Sequence, residues 1–319
     1  MLYLSRADVE AVGLPMIEII DALETMFVEK GRGEVEMPPK PGIHPRPDAF
    51  IHAMPAHIPR LAAAGIKWVS GYWSNRERGL PYISGLLILN DPDTGVPISV
   101  MDATWITAMR TGAATAVAAK RLAREDSRSV GIVACGVQGR SNLEALSCAF
   151  DLKSVKAFDI VPEAARAFAG EMSEKHGLPV EVVADPREAV ADLDLVVTSG
   201  PILKDPSPTI EAGWLSAGSF AAALDFDSYW RSEALEAVDK LATDDIAQLD
   251  YYRTVGFFKK TPRPYADLGA ILSGQAPGRE SASERNLCMN LGLALEDMAT
   301  AILVYKRARE VGIGSRLPL

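Results

Sequence analysis

Cysteine is scarce in this chain: Cys135, Cys148 and Cys288 are the only three among 319 residues. They lie too far apart for any metal-ligand spacing, so no metal site is expected. An odd count without clusters fits a reducing compartment. Cys135 and Cys148 sit in apolar segments and are expected in the core. Positive charge is also in deficit. Lys and Arg number 33 against 42 Asp and Glu, a formal net charge of -9. That balance argues against nucleic acid or an anionic membrane as the main partner, and leaves room for a local basic pocket. No apolar run reaches bilayer-spanning length. The start, MLYLSRADVE, lacks a basic region followed by an apolar stretch, so no signal peptide is expected and the reading is cytoplasmic. No internal repeat is evident.

What is present is an ordinary globular composition, 48% hydrophobic and 24% charged, on a chain long enough for two domains. The organising stretch is SVGIVACGVQGRSNLEALSCA, residues 129–149. A short apolar run, Val130 to Ala134, suits a buried strand. Ala134, Gly136 and Gly139 then fall at the spacing of the three glycines in G-x-G-x-x-G, and a helical pattern follows. Strand, small-residue turn and helix together are the context of a dinucleotide fingerprint. Gly136 lets backbone approach a pyrophosphate, Gly139 permits close helix–strand packing, and the helix start offers free N–H groups to the anion. Ala134 departs from the glycine usual in that turn. Asp159 ends the next strand-like run, 20 residues beyond Gly139. An acid there grips the adenosine ribose hydroxyls and repels the extra phosphate of NADP, which favours NAD.

Before this unit, Ser5 caps a short helix and Met16 to Lys30 carries apolar residues on one helical face. Met37 to Pro47 is Pro-rich and holds Lys40, His44 and Arg46 on a stiff, extended backbone. Strands are expected at Ala49–Met54, Ala63–Ser70, Ile83–Asn90 and Val96–Met101, the last two joined by an Asp-Pro-Asp-Thr-Gly turn. Lys67 interrupts an apolar strand. It either reaches a sheet edge or serves as an anion ligand. A helix is expected over Thr104 to Arg124, where Arg110 suits a structural ion pair as well as a substrate clamp.

After the fingerprint, strands and helices alternate with short connections. This pattern implies a parallel, doubly wound sheet with ligands at the strand C-terminal ends. Thr198, Ser199, Asp225 and Asp227 fall at such ends. In an extended segment the two aspartates share one side and Phe226 takes the other. One of them suits a general base near a nicotinamide, and both also suit solvated loop acids. Residues 244–284 are polar and Pro- and Gly-punctuated, read as turns and short helices. A final helix is expected over Asn290 to Arg309.

Several segments taken together resemble the ornithine cyclodeaminase/mu-crystallin family: MPPKPGIHP, IHAMPAH, AGIKWVSGYWSNRERGLP, the block from Asn90 to Arg124, VACGVQGR and NLGLALEDMATA. The resemblance implies an α/β protein in which a doubly wound Rossmann domain is inserted in a discontinuous α+β domain for substrate binding and dimerisation. Residues 1–115 with 290–319 would form the latter and 116–289 the former. It implies an NAD(P) cofactor, a homodimer, and chemistry at the Cα–N bond of a 2-amino or 2-imino acid, as dehydrogenase, imine reductase or cyclodeaminase.

By the same resemblance, Lys67 and Arg110 hold the substrate carboxylate, with Lys40 where the family usually has arginine. Asp227 matches the catalytic aspartate. His52 stands where cyclodeaminases tend to carry glutamate. Gly136, Gln138, Gly139 and Arg140 match the phosphate loop, and Val137 and Thr111 join the cofactor set. Around the aspartate the family often reads G-x-D-x-P-G-K. Here the segment is LDFDSYWR, so the substrate side is expected to be remodelled. Trp73, Arg76, Tyr229 and Trp230 are the candidates for its open end.

Overall fold

The computed structural model describes residues 1–46, 49–203 and 205–319. Pro47 of the Pro-rich segment and the side chain of Arg76 lie outside the described residues. The chain divides into two compact units, 1–110 with 293–319, and 111–292. Among the described residues, no helix is long and apolar enough to cross a membrane.

In chain order the first unit opens with β1 (Leu2–Leu4), α1 (Arg6–Ala11) and α2 (Met16–Arg32). Strands β2 (Gly42–Arg46), β3 (Ala49–Ile58), β4 (Ala63–Tyr72), β5 (Ile83–Asn90) and β6 (Pro97–Asp102) follow. The division between units falls after Arg110, within α3 (Thr104–Leu122). The second unit holds β7 (Ser129–Val133), α4 (Val137–Ala149), β8 (Ser154–Phe158), α5 (Pro162–His176), β9 (Val180–Val182) and β10 (Leu195–Thr198). It continues through β11 (Phe220–Ala223), α6 (Ser232–Glu236), β12 (Lys240–Thr243), α7 (Ile246–Thr254), β13 (Ala266–Asp267), α8 (Leu268–Leu272) and β14 (Asn286–Met289). Helix α9 (Ala294–Val311) and β15 (Ser315–Arg316) return to the first unit.

Sheet order in the first unit is β15-β1-β6-β5-β4-β3-β2. Ser5 and Asp8 form a reciprocal capping box on α1, satisfying two N–H groups that would otherwise lack partners. Helix α2 runs through Gly31 and stops at Gly33, whose φ of 76° only glycine adopts cheaply. The Asp91 carboxylate accepts the N–H groups of Asp93 and Thr94, which tightens the β5–β6 turn. Helix α9 packs on α2, β3 and β4, burying its Leu295, Met298 and Ile302. The opposite face of the sheet carries exposed Trp68 and Leu86 as directly paired neighbours on β4 and β5, with Tyr3 exposed on β1.

The second unit is an all-parallel sheet of order β13-β12-β14-β11-β10-β7-β8-β9. The crossover order places β8 and β10 on either side of β7, so three strand ends meet at the Gly-rich turn. Strand β14 lies inside this sheet, between β12 and β11, and was not expected from the sequence. Four strands, β10, β11, β12 and β14, are buried along their whole length, with Phe220 and Leu287 on them, and Leu235 and Trp230 are buried as well. Each such large side chain contributes about 1.5–3 kcal/mol when fully buried. Cys135 is buried as expected, but Cys148 is exposed, because it falls on the outer face of α4.

Candidate functional site

The first unit holds a buried cluster of four charges. Lys67 lies on β4, an interior strand, and is 1% exposed, so the sheet-edge placement is excluded. Its Nζ is 2.7 Å from each carboxylate oxygen of Asp297 and 3.4 Å from Thr107 Oγ1. Arg110, on α3, donates from Nε to the same carboxylate at 3.0 Å and from Nη1 to Glu296 Oε2 at 2.6 Å. Both acids come from the first turn of α9 and are fully buried. Buried charges are tolerated only when paired in this way. Burial is the main cause that pulls the Lys67 ammonium down to about 7; Asp297 raises it and Arg110 lowers it further. Burial likewise raises the Glu296 carboxyl against the pull of Arg110.

Lys40 is buried and its charge acts on both Lys67 and His52. His52 lies half-buried on β3 with its ring stacked on Phe50 at 4.4 Å. Burial, then the positive charges of Lys40, His44 and Lys67, push it down to about 4. At neutral pH it is an uncharged imidazole, able to accept a proton or a hydrogen bond. Trp73, the first-unit candidate for the open end, is exposed with its ring edge-on to Tyr82.

In the second unit the Gly-rich turn connects β7 to α4. Ala134 takes φ 76°, a left-handed conformation that costs an L-residue about 1–2 kcal/mol. Two contacts hold it there: its N–H donates to Phe158 O at 2.9 Å, and its carbonyl accepts the Ser199 hydroxyl at 3.0 Å. A Cβ on Gly139 would lie 2.8 Å from Ala134 O and 3.0 Å from Ile132, so glycine is required for α4 to pack on β7. Gly136 is different. Its backbone is extended, and an added Cβ would meet nothing within 4 Å. Its glycine has no internal explanation, and the open space is where a ligand would approach.

Among the described residues no side chain caps the N-terminus of α4, which leaves the N–H groups of Val137, Gln138 and Gly139 available to an anion with the helix dipole behind them. Val137 is strongly exposed at this end. Asp159 accepts Cys135 N–H at 2.8 Å through one oxygen and Val161 N–H at 2.9 Å through the other. A carboxylate has about four acceptor positions, so capacity remains for ribose hydroxyls. These residues fit a bound dinucleotide.

Arg140 and Thr198, also expected at the cofactor, have partners within the protein, and Thr111 lies on α3. Arg140 pairs with Glu171 at 2.7 Å and also donates to the Cys135 and Gly136 carbonyls, bracing the turn from within. Thr198 is fully buried; its hydroxyl donates to Asp225 at 3.0 Å and accepts from Trp230 Nε1 at 3.1 Å. Thr111 is buried on α3 beside Gly112, where α3 meets α4 so closely that a Cβ would clash with Ser141 O.

The pairing of Asp225 and Asp227 on one side of an extended segment is corrected. Strand β11 ends at Ala223, and Phe226 turns the chain with φ 60°. Its ring anchors the turn among Tyr252, Phe257 and Phe258, at 4.8–5.5 Å between centroids. Asp225 is fully buried, accepts Gly200 N–H at 3.1 Å, and is raised by burial to about 7. Asp227 is half-buried and, among the described residues, accepts one hydrogen bond, from Thr261 Oγ1 at 3.0 Å. Trp230 is likewise corrected: it is a buried core residue bonded to Thr198, so it cannot face a substrate.

Sequence reasoning missed Glu296 and Asp297. Two acids opening a helix look like ordinary dipole partners. The available signal was their setting in NLGLALEDMATAILV, where almost every neighbour is apolar.

Known proteins resemble the chain along nearly its full length. The nodulation efficiency protein NfeD of Rhizobium meliloti is 36% identical over 315 residues, 98% of this chain and 97% of that one. The structure of Thermococcus litoralis Delta(1)-pyrroline-2-carboxylate reductase in complex with NADH and L-proline superposes with a TM-score of 0.90 at 34% identity, covering 99% of this chain and 100% of the other. An archaeal alanine dehydrogenase dimer with bound NAD gives 0.89 at 33% identity, covering 100% and 99%. The fold matches theirs, an α/β protein with a parallel Rossmann sheet and a separate, largely antiparallel one. The family profile matches residues 2–312, and the chain belongs to the ornithine cyclodeaminase/mu-crystallin family.

Proposed function

We propose that this chain is an NAD-dependent oxidoreductase acting on the Cα–N bond of a 2-amino or 2-imino acid. The observation that carries the reading is the buried pair Lys67 and Arg110, two cations that share one carboxylate at 2.7 and 3.0 Å. Such a pair suits a carboxylate ligand, because a second anion gains charge-assisted hydrogen bonds where desolvation has already occurred. Lys40 adds a third positive charge to the same unit. The relatives' ligands, NADH with L-proline in one case and NAD in the other, support the same reading.

When bound, the nicotinamide supplies or accepts the hydride exchanged with the substrate's Cα. Lys67 and Arg110 orient the substrate by its carboxylate, which converts a bimolecular encounter into a positioned one. Asp227, with one internal partner, has carboxylate capacity left to move a proton at the amine nitrogen or at water. His52, uncharged, assists as a second acceptor. The turn at Gly136, the free N–H groups of α4 and Asp159 hold the dinucleotide, and the Asp159 charge favours NAD over NADP. A homodimer is also proposed, through the apolar sheet face that carries Trp68 and Leu86. One relative is described as a dimer.

The test is a panel of L-amino acids with NAD, and of 2-oxo acids with ammonia and cyclic imino acids with NADH, followed at the nicotinamide absorbance. Stoichiometric change of the cofactor with at least one substrate is expected. Ammonia release from a diamino acid with no net cofactor change would contradict a net redox role and identify a cyclodeaminase.

A further inference from the structure

We infer that Tyr229 contacts the cofactor: its hydroxyl, set over Gly200 beside the Gly-rich turn, donates a hydrogen bond to the adenosine ribose of the bound dinucleotide. The inference rests on the dinucleotide reading of the same cradle. It moves Tyr229 from the substrate's open end, where the sequence suggested it, to the nucleotide.

The ring's position is defined by what it excludes. A Cβ on Gly200 would lie 2.1 Å from Tyr229 Oη and 2.4 Å from Cζ, so only glycine leaves room for the phenol. Gly200 in turn is held by its N–H on Asp225, and its neighbour Ser199 is bonded to Ala134. The Gly-rich turn is thus flanked by Gly200 at the end of β10 and by Asp159 at the end of β8.

The Tyr229 backbone is fixed. Its carbonyl accepts the N–H groups of Thr209 at 3.0 Å and Ile210 at 2.8 Å. Ser228 before it accepts Leu203 N–H at 3.0 Å, and Trp230 after it is locked in the core. The side chain is half-buried, and among the described residues nothing accepts or donates a hydrogen bond at its hydroxyl. A phenol on a fixed backbone, without an internal partner and beside the Gly-rich turn, has its donor available to a ligand. Burial, then the charges of Asp225 and Asp159, push the phenol up to about 12, so it keeps its proton at any working pH.

Gly200, under the ring, follows β10, and Asp159 follows β8, so the phenol and the carboxylate stand on either side of the β7 turn, and the Asp159 charge reaches the phenol. A ribose hydroxyl that donates to Asp159 still has lone pairs on its oxygen, and the Tyr229 hydroxyl fills one of them.

The test is direct binding of NADH and, separately, of ADP to the purified full-length protein, by calorimetry or by nicotinamide fluorescence with ADP as competitor. Tyr229→Phe keeps the ring and removes the donor. It is expected to weaken both ligands by about five-fold, the worth of one neutral hydrogen bond, with the thermal midpoint of the ligand-free protein unchanged. Gly200→Ala, which displaces the ring, should weaken both ligands as well. Unchanged Kd values in Tyr229→Phe would overturn the inference. So would a loss seen with NADH but not with ADP, which would assign the hydroxyl to the nicotinamide half. A wild-type protein that bound neither ligand would overturn the dinucleotide reading itself.

Discussion

Replacing Asp297 by asparagine removes the carboxylate that Lys67 Nζ and Arg110 Nε share, at 2.7 and 3.0 Å. Both cations are buried and cannot turn to water. Breaking a buried pair by deleting one partner costs about 3–5 kcal/mol. For a unit of this size each kcal/mol moves the thermal midpoint by roughly 3 °C, so a fall on the order of 10 °C is expected. The penalty carries a pH signature. In the folded chain Lys67 is lowered to about 7 from the ordinary 10.5, so above pH 7 the unfolded chain holds more protons and stability rises with pH.

Asp297 is the neighbour that raises this group. Its loss therefore pushes Lys67 lower still. The variant sheds the Lys67 proton at a pH where the wild type retains it, so its penalty shrinks as pH rises toward 7 and then levels off. Arg110 cannot deprotonate and keeps a residual cost at every pH. Urea unfolding followed by circular dichroism, at about pH 5.5 and about pH 8, measures both quantities. A penalty under about 1 kcal/mol, or one larger at the higher pH, would refute the reasoning.

The two glycines of the cradle should separate fold from ligand. Gly136→Ala, with open space around its Cβ, leaves the apo thermal midpoint unchanged and weakens NADH binding by an order of magnitude or more, read by calorimetry. Gly139→Ala, whose Cβ meets Ala134 O and Ile132, destabilises the apoprotein by about 1–3 kcal/mol in urea unfolding. Trp68→Glu places a charge on the apolar outer sheet face and should yield a monomer in light scattering, with secondary structure retained. Asp227→Asn should abolish turnover while leaving the Kd for NADH within about two-fold, a split that a purely structural acid would not give.

Much of the fold was legible because it is written locally. Helix α5 begins at Pro162 and ends at His176 as its proline and the following glycine demand. The strand–turn–helix from Ser129 to Ala149 is carried by an apolar run and small residues at fixed spacing. Strand β14 was not legible: Asn286–Met289 is four residues behind a polar segment, and only its neighbours in the sheet make it a strand.

The site divides the same way. Lys67 and Arg110 stood out because charge in an apolar strand or helix needs a reason. The acids that answer them lie more than 180 residues away in sequence, and their burial is a tertiary fact. The paired aspartates failed because alternation holds only while the chain stays extended, and Phe226 ends the extension with a left-handed turn. Tyr229 and Trp230, adjacent and both bulky, went to different places for the same reason: the Trp230 indole has a partner inside, Thr198, and among the described residues the Tyr229 hydroxyl has none.

Hydride exchange at Cα is the central claim. NADH carrying deuterium at both C4 positions, incubated with the protein and an imino acid or a 2-oxo acid plus ammonia, tests it by mass spectrometry of the amino-acid product. One deuterium at Cα, matched by loss of one from the cofactor, is the predicted result. Product without deuterium, or no product from any 2-oxo or imino acid while NADH binds, would contradict it.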